Sequence, residues 1–500
     1  PNAQSIIQDS FGNIWIGNYR GGIDFISHTQ PLFNTITYKT EKYGHNCNKQ
    51  VWGLWADNNR QIWLGGEGEL GIYKEGKEIE IIPLNQCRLN KQTHISVIHQ
   101  DKHGDLWLGT HKHGVAIYHP DTKRITCIGD DKDGSLDILC FYEDTDGKIW
   151  IGTQSGLYSA YNRELTQEDK INRLLTNKGI RSILKDKNGK LWIGAKGLFL
   201  FDDKGQLFQE LTTEQSFPIR SVNYLMEDSR KRIWVGTNDG ILVFRDASHL
   251  EDYSHYGTKE GLQNTNVRAI QEDHDGTIWL STNAGISRLD EKTKTFYNYN
   301  HYDGVPMGDF MDGSTCISTD GILYFGSQGG ACYFTPGEVN SIRKPAPVTI
   351  TQFSIYDKQT ESKDTEHPLP LTDANIQLPY NQNTFKISFN VLDYAISSQV
   401  EFSYILEGLE NTWYNTQGEK QIIFRNIPPG HYTFKVKTRL RNQEWEKDEA
   451  TLHIRITPPF WLSWYAKLIY ALLIILIIYG VSRFYKRKLD LESSLEVERK

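Results

Sequence analysis

One short motif recurs through roughly the first two-thirds of this chain. Aligned on Asp, Gly and Trp, copies such as "IIQDSFGNIWIGNYRGGIDF", "FYEDTDGKIWIGTQSGLYSAY" and "LMEDSRKRIWVGTNDGILVF" precede a degenerate eighth copy, "CISTDGILYFGSQGGACYF". The tryptophans stand at 15, 63, 107, 150, 192, 234 and 279, so successive gaps are 48, 44, 43, 42, 42 and 45 residues. A period of this size, with about four strands' worth of sequence in it, is typical of β-propeller blades.

Each copy predicts one antiparallel sheet. An alternating strand ends at Asp, the "D-x-x-G" segment makes a tight turn in which Gly supplies a positive φ, and "IWIG" returns as the second strand. Segments such as "GLYSAY" and "KRITCIG" supply a third and a fourth strand. One such sheet cannot bury both of its faces, so it must be stacked against similar sheets. We therefore interpret Asp144, Gly147 and Trp150 as structural residues.

The number of blades follows from where the copies lie. Rings of seven blades are the commonest for this blade size, and the first of the eight copies lies at the start of the sequence. We assign residues 1–40 to the end of a preceding propeller and 41–340 to a seven-bladed β-propeller, with an eight-bladed ring as the alternative. The 42 Gly, 13 Trp, 26 Tyr and 21 Phe, against 3 Met, favour an all-β fold.

A second domain is predicted after the ring, because prolines at 345 and 347 interrupt the repeat. Residues 346–457 contain alternating runs such as "NTFKISFNVLDY" and "GHYTFKVKTRL", at the spacing of a small immunoglobulin-like β-sandwich. We expect Tyr394, Tyr404 and Tyr432 to pack in its core with their hydroxyls bonded to backbone.

Residues 464–482 predict one transmembrane helix. Lys467 is the only charge in this span of 19 residues, which at about 1.5 Å per residue nearly crosses a hydrocarbon core of about 30 Å. Aromatic residues precede the span and basic residues follow it: Trp461, Trp464 and Tyr465, then Arg483, Lys486, Arg487 and Lys488. The positive-inside rule then predicts that residue 483 onward is cytoplasmic and that residues 1–460 lie outside. The charged stretch that follows has Leu491 and Leu495 four residues apart, but it is too short to establish heptads.

The chain resembles a known family in three consecutive segments. The signature "D-x-x-G-x-IWIGT-x-x-G-L", the last blade "DGILYFGSQGGACYFTP", and "SFNVLDYAISSQVEFSYILEGLENTW" with "NIPPGHYTFKVKTRL" resemble the sensor region of Bacteroides-type hybrid two-component system proteins. In that family two propellers precede a three-tyrosine domain, a membrane helix and a histidine kinase.

The resemblance implies an inner-membrane, single-pass receptor with residues 1–460 periplasmic. It implies that residues 483–500 are the start of a cytoplasmic coiled-coil linker. It also implies a glycan-derived oligosaccharide as ligand and a homodimer formed through the membrane and coiled-coil segments. It also implies a sensor histidine kinase as the full-length parent, so that residues 1–500 are not themselves an enzyme.

Candidate ligand-binding residues lie five to eight positions before each repeat's Asp, where the innermost strand should meet the mouth of the axial channel. They are Lys49, His94, Lys178, Arg181, Arg220, Asn223 and Arg268. In a chain of net charge −7, this local cationic excess favours an anionic ligand held by bidentate Arg contacts, the alternative being solvated loop charge. Loops after "WIGT" are a second candidate, with Tyr19, Arg20, His111–His113, Lys196, Asn238 and Asp239.

Other functional classes fit the sequence less well. The net charge of −7 argues against nucleic-acid binding. Histidines 94, 99, 103, 111, 113 and 119 cluster in one blade, but strand alternation sends neighbours to opposite faces, so we expect no metal and no cofactor. The sequence lacks G-x-S-x-G, P-loop and H-E-x-x-H motifs, so no catalytic residue is predicted. The six scattered cysteines are expected to be buried free thiols. The alternatives are a membrane-tethered adhesion propeller and, less favoured, a propeller polysaccharide lyase or hydrolase.

Overall fold

The computed structural model divides into two compact units, Gln30–Ser341 and Pro1–Thr29 together with Ile342–Lys500, and each is described by itself. The residues that the structure describes are 3–19, 21–27, 31–37, 39–42, 45–48, 50–75, 77–86, 89–90, 92–128, 136–161, 164–168, 175, 178–202, 204–213, 217–339, 346–357, 360–364, 374–394, 400–416, 418–440 and 444–498.

Over its described residues, the unit Gln30–Ser341 consists of seven four-stranded antiparallel sheets and one separate hairpin. Strand β4 (Asn34–Ile36) comes first, then the hairpin of β5 (Lys39–Lys42) and β6 (His45–Asn48). The blade strands follow as β7 (Gly53–Ala56), β8 (Ile62–Gly65), β9 (Glu69–Tyr73), β10 (Glu80–Pro83); β11 (Ile95–Gln100), β12 (Leu106–Thr110), β13 (Val115–His119), β14 (Arg124–Ile128); β15 (Ile138–Glu143), β16 (Ile149–Thr153), β17 (Leu157–Tyr161), β18 (Glu164–Gln167); β19 (Ser182–Lys185), β20 (Leu191–Ala195), β21 (Gly197–Phe201), β22 (Leu207–Leu211); β23 (Val222–Glu227), β24 (Ile233–Thr237), β25 (Gly240–Phe244), β26 (Tyr253–Tyr256); β27 (Val267–Glu272), β28 (Ile278–Thr282), β29 (Gly285–Asp290), β30 (Thr295–Tyr299); and β31 (Phe310–Ile317), β32 (Leu323–Ser327), β33 (Gly330–Phe334). The short helix α1 (Pro336–Val339) follows, and 3-10 turns lie at Thr258–Glu260 and His301–Asp303.

These sheets form a closed ring. The strand ending at the motif's Asp is the innermost of each blade, and each one contacts the innermost strand of the next blade, from β7 and β11 round to β31 and β7. The predicted propeller is therefore confirmed.

The last blade takes its outermost strand from the start of the unit, because β4 pairs with β33 with Asn34 opposite Tyr333 and Ile36 opposite Ala331. The prediction that residues 1–40 end a preceding propeller is thus wrong at β4. The hydrogen bonds of this three-residue strand complete the last blade with chain from the start of the unit, which joins the two ends of the ring.

Adjacent blades approach closely where the motif has its glycine. The second strands are buried along their whole length, as in β12, β24 and β28. A Cβ atom on Gly109 would lie 2.5 Å from Val97 Cγ1 in its own blade and 2.7 Å from Ile138 Cγ2 in the next blade. Any side chain there would push the two sheets apart, so the glycine of "WLG" is required by packing between blades.

The motif's Asp and Trp are joined by a hydrogen bond. The Asp273 carboxylate accepts from the backbone N–H of Asp275 and Thr277, at 3.0 and 2.8 Å, and from Trp279 Nε1 at 2.9 Å. The same Asp–indole bond, at 2.8 to 3.3 Å, joins Asp9–Trp15, Asp57–Trp63, Asp101–Trp107, Asp144–Trp150, Asp186–Trp192 and Asp228–Trp234. One carboxylate thereby fixes the turn and anchors the second strand.

The other unit begins with the first repeat. Its strands β1 (Ala3–Gln8), β2 (Ile14–Asn18) and β3 (Gly22–Ile26) form one antiparallel sheet. The sandwich strands are β34 (Val348–Asp357), β35 (Thr360–Asp364), β36 (Asn375–Leu378), β37 (Phe385–Val391), β38 (Val400–Glu407), β39 (Tyr414–Asn415), β40 (Gln421–Phe424), β41 (Gly430–Leu440) and β42 (Glu449–Ile456). Their sheet orders are β35-β34-β37-β40 and β36-β42-β41-β38-β39, and all described pairs are antiparallel except β36 with β42.

The three tyrosines of the sandwich have different surroundings. Tyr432 is buried and its hydroxyl donates to Pro428 O at 2.8 Å, as expected from the sequence. Tyr404 is half-buried and packs on Phe434 with ring centroids 6.1 Å apart. Tyr394 is 53% exposed, so its predicted core position is wrong. Its ring meets Trp15 of the first repeat edge-on at 5.2 Å instead.

Beyond the sandwich, a 3-10 turn at Phe460–Leu462 leads into helix α2 (Trp464–Glu498). Among the described residues, one helix is long and apolar enough to cross a membrane, over Trp464–Ser493, and its apolar window is exposed throughout. At its entry the Trp461 ring lies 5.1 Å from that of Tyr380, which follows β36. The polypeptide therefore contacts the sandwich until just before the helix begins.

The cysteines only partly follow the sequence expectation. Cys316 and Cys332 are buried free thiols, and Cys140 is free and half-buried. Burial raises the pKa of the Cys140 thiol to about 12. Cys127, by contrast, is exposed. Cys47 and Cys87 lie outside the residues whose side chains the structure describes.

We expect Asp273→Ala to lower the free energy of unfolding by about 1–3 kcal/mol, because it leaves the buried Trp279 indole N–H without an acceptor. The measurement is urea unfolding followed by tryptophan fluorescence. Asp202→Ala is the matched control, since Asp202 also accepts from the N–H groups two and four residues on, but Phe208 stands where the repeat has Trp. Equal losses in the two variants would show that the indole bond contributes nothing.

Candidate functional site

The innermost strands enclose a cavity of about 420 Å³ on the axis of the ring. Its walls come from β7, β11, β15, β19, β23 and β31, together with the residues just before them. At one end the walls are Trp52, Ser96, Leu139, Arg181 and Asp312. We call this end the channel mouth. It is the end at which the sequence predicted that ligand-binding residues would gather.

A β-bulge explains why one position per repeat reaches the channel mouth. In four innermost strands the pairing register shifts by one residue, and the extra residue stands five positions before the motif's Asp. These residues are Ser96, Leu139, Asn223 and Arg268. A bulge re-aims a side chain that regular pairing would place in the sheet. The repeat therefore delivers a variable residue to the axis from an otherwise constant blade.

Three of the predicted site residues meet at the channel mouth around Asp312. Arg181 Nη1 donates to Asn223 Oδ1 at 3.0 Å and lies 3.6 Å from Asp312 Oδ2. Arg268 Nη1 donates to Asp312 Oδ1 at 2.7 Å, while its Nε donates to Asn283 Oδ1 at 2.7 Å. We call these five residues the Arg–Asp cluster. Two guanidinium groups and one carboxylate give it a formal charge of +1.

The Arg–Asp cluster extends across the ring. Arg181 precedes β19 of the fourth blade and Asp312 lies on β31 of the seventh, yet both line the axial cavity. The Arg181, Arg268 and Asp312 side chains are 42%, 22% and 36% exposed, so solvent reaches this ion-pair network. The contact between Arg181 and Asp312 spans part of the opening.

Asparagines support the cluster from the side. Asn223 is fully buried, and its Nδ2 lies 2.8 Å from Asn238 Oδ1, 3.1 Å from Asn266 Oδ1 and 2.8 Å from Val267 O. Asn238 belongs to the loops that the sequence offered as a second candidate site. Buried amides held in this way fix the position of the Asn223 oxygen that Arg181 contacts.

Two other predicted site residues, His94 and Lys178, have described contacts outside this network. His94 meets the Trp52 ring edge-on at 6.0 Å and lies 3.7 Å from Glu67. Lys178 lies over the Phe199 ring at 4.2 Å and 3.5 Å from Glu210, which places its ammonium against the third and fourth strands of its blade.

Two further residues were predicted, Arg220 and Lys49. Arg220 is exposed, and Lys49 lies outside the described residues. Of the second candidate loops, His111 lies 3.0 Å from Asp137, and Arg20 is also outside the described residues. Among the described residues, no group of three or more His, Cys, Asp or Glu is placed to hold a metal ion.

Sequence reasoning missed Asp312, Asn266, Asn283 and Trp52. Trp52 stands five positions before Asp57, and Asn283 follows "WLST" as Asn238 follows "WVGT", so periodicity could have found both. Asp312 follows Arg268 by 44 residues, about one blade, but its repeat lacks the Asp that marks the position in the other blades. The pairing of β31 with β32 jumps from Phe310–Ser327 to Thr315–Phe325, and the repeat's Asp is replaced by Ser318.

A half-buried histidine, His99, lines the axial cavity. His99 Nε2 lies 3.2 Å from Glu143 Oε2, and its ring meets Trp55 edge-on at 5.0 Å. Burial lowers the pKa of His99 below its ordinary 6.5, although the carboxylates of Glu143 and Asp101 oppose this effect. The native structure therefore favours the neutral imidazole.

This pKa direction predicts a pH dependence of stability. The pKa of His99 is lower in the folded state than in the unfolded state. His99 therefore stabilises the fold at pH values above its unfolded pKa, and this stabilisation is lost as the pH falls through the folded pKa. We expect the urea concentration at the midpoint of unfolding to decrease as the pH is lowered from about 7.5 to about 5.5. In His99→Gln this decrease should be smaller. His103→Gln, on an exposed turn of the same blade, is the control. If the midpoint decreases as steeply with pH in His99→Gln as in the unchanged protein, His99 is not the group responsible.

The fold and the site define a class of protein: a propeller with a polar channel mouth, an immunoglobulin-like sandwich and one apolar helix. Comparison with known families agrees with this class. Residues 134–155, 174–197, 216–239 and 261–284 match the family described as two component regulator propeller. Residues 393–457 match the Y_Y_Y domain.

The chain is similar to two proteins of the same kind. It is 36% identical to the extracellular domain of the hybrid two component system BT3049 from B. thetaiotaomicron, with a TM-score of 0.81, covering 91% of this chain and 62% of that one. Over 423 residues it is 26% identical to histidine kinase P4 of Formosa agariphila, covering 81% of this chain and 27% of the kinase. The chain therefore spans less than two-thirds of either relative.

These findings confirm the family resemblance stated from the sequence. The chain has two component regulator propeller repeats, a Y_Y_Y domain and one candidate membrane helix, and it is similar to the extracellular domain of a Bacteroides hybrid two component system. The candidate helix and the match to an extracellular domain fit a single-pass membrane protein.

Proposed function

We propose that this chain is the extracytoplasmic sensor and membrane anchor of a receptor that binds a glycan-derived oligosaccharide and signals to a histidine kinase. The observation that carries the proposal is the similarity over 91% of the chain to the extracellular domain of a hybrid two-component system. The kinase, with its phosphotransfer residues, would lie beyond residue 500, as the likeness to histidine kinase P4 supports.

The channel mouth is the binding site in this proposal. Sugars are recognised by planar hydrogen-bonding groups beside an aromatic ring, and the mouth offers amides, two guanidinium groups, a carboxylate and Trp52. Arg181 and Arg268 are the residues we assign to ligand contact, with Asn223 positioning Arg181. Lys49, His94, Lys178 and Arg220 stay predictions from the sequence.

Signal transfer requires that the ligand favour one of two receptor arrangements by differential affinity. The sandwich is the element before the membrane, and the contact between Tyr380 and Trp461 ties it to the start of the apolar helix. In the proposed receptor a homodimer, formed through the helices and the coiled-coil segment after them, passes the change to the kinases. The proposed location is the inner membrane, with residues 1–460 in the periplasm and 483–500 in the cytoplasm.

The membrane topology can be tested with reporter fusions. Alkaline phosphatase fused after Thr457 should be active, because its disulfides form only outside the cytoplasm, and the same reporter fused after Glu498 should be inactive. Green fluorescent protein at the same two positions should give the reverse pattern. Phosphatase activity only in the fusion after Glu498 would show that the helix crosses the membrane in the opposite orientation. Recovery of the unfused chain in the soluble fraction without detergent would remove the membrane anchor from the proposal.

The binding site can be tested by calorimetric titration of the chain in detergent with neutral and acidic oligosaccharides. We expect Arg181→Ala and Arg268→Ala each to weaken binding at least about tenfold, since each removes charged hydrogen-bond donors from the channel mouth. Arg245→Ala, an exposed arginine just after β25, is the control for lost surface charge. If both Arg181→Ala and Arg268→Ala bind with unchanged affinity, the binding site is not at the channel mouth. Formation of a cleaved product would favour the enzyme alternative.

A further inference from the structure

The two arginines of the channel mouth already hold an anion that belongs to the protein. Nη1 of Arg268 lies 2.7 Å from one Asp312 oxygen, and Nη1 of Arg181 lies 3.6 Å from the other. Two guanidinium groups from the fourth and sixth blades thus converge on one carboxylate from the seventh. Arg268 hydrogen-bonds to this carboxylate and Arg181 makes an ion pair with it, and guanidinium groups contact ligand carboxylates in the same ways.

Asp312 reaches this position through an irregular strand. Between Phe310 and Thr315 the register of β31 shifts, and Gly313 adopts a φ of +66°, which a residue with a side chain rarely adopts. Other innermost strands insert one extra residue, but β31 inserts more and places an acid opposite the arginines. Bulges of this kind re-aim side chains next to functional sites.

We infer that Asp312 is an exchangeable counter-ion, and that the ligand acid which replaces it is the carboxylate of a uronic-acid residue. The inference rests on the proposed function of the channel mouth as an oligosaccharide site. In the exchange, the contacts of Arg181 and Arg268 with Asp312 are broken, and the sugar carboxylate takes both. The Asp312 side chain, 36% exposed in the resting structure, returns to water.

The exchange affects which sugars bind well and which contacts join the fourth blade to the seventh. An acidic sugar must compete with Asp312, so the protein binds it more weakly than the two arginines alone would allow. A neutral sugar does not compete for the carboxylate position and is little affected by Asp312. Because the contact between Arg181 and Asp312 spans the mouth, its replacement also changes what joins the fourth blade to the seventh.

The test compares the chain 1–500 in detergent with its Asp312→Asn variant, titrated with trigalacturonate and with neutral galactotriose at low and high salt. We expect trigalacturonate to bind Asp312→Asn about tenfold more tightly, with a stronger dependence on salt. Galactotriose affinity should change by less than about twofold. Asn has the shape of Asp, and thermal unfolding of both proteins checks that the fold is kept.

Asp309→Asn is the matched control. It removes one negative charge three residues earlier in the same segment, but the described contacts of Arg181 and Arg268 do not include Asp309. If trigalacturonate affinity rises equally in Asp309→Asn and Asp312→Asn, the exchange is contradicted, because the gain would then come from the change in net charge. Unchanged or weaker trigalacturonate binding in Asp312→Asn would also overturn it. If galactotriose still binds in that case, the proposed function stands, whereas failure of both sugars to bind any of the proteins overturns both proposals.

Discussion

A blade of this propeller is stable only between two other blades. The second strand of a blade, such as β12 or β24, is buried at every position, so both faces of the sheet need a neighbour. Apolar burial contributes about 25 cal/mol per Å², and a single sheet exposed on both sides would lose most of that contribution. The ring therefore has to close, and the short strand β4 closes it by pairing with β33. Every other feature of the unit, including the channel mouth, depends on that closure.

Closure also explains how distant residues come to form one site. Arg181, Asn223, Arg268 and Asp312 are separated by 42 to 45 residues from one to the next, about one blade each. The repeated blade geometry brings these positions together at the channel mouth, and at Asn223 and Arg268 a bulge directs the side chain out of the sheet. The constant part of the repeat, the Asp–indole bond and the tight glycine, builds the scaffold. The variable residue five positions earlier carries the chemistry.

The sequence predicted what is local and periodic, and failed where the periodicity is broken. The turns, the paired Asp and Trp, and the convergence of Arg181 with Arg268 follow from spacing alone, because each blade repeats the same hydrogen bonds. Strand β4 has three residues and no motif, so only the need to close the ring reveals it. Asp312 was missed because β31 departs from the register of the other blades. Lys178 has the right spacing, but its long side chain folds back onto Phe199, a contact that depends on tertiary packing.

The first repeat shows how the same motif can serve a second purpose. Its Asp9, Asn13 and Trp15 keep the usual network, with Asp9 Oδ2 accepting from Trp15 Nε1 at 3.0 Å. However, Asn13 also donates to Asp393 at 3.4 Å, and Trp15 packs on Tyr394 at 5.2 Å. Asn13 and Asp393 are both buried, and this contact adds to the hydrogen bond that Asn13 Nδ2 donates to Asp9 Oδ2 at 3.0 Å. The sheet of the first repeat and the end of β37 are therefore held as one piece.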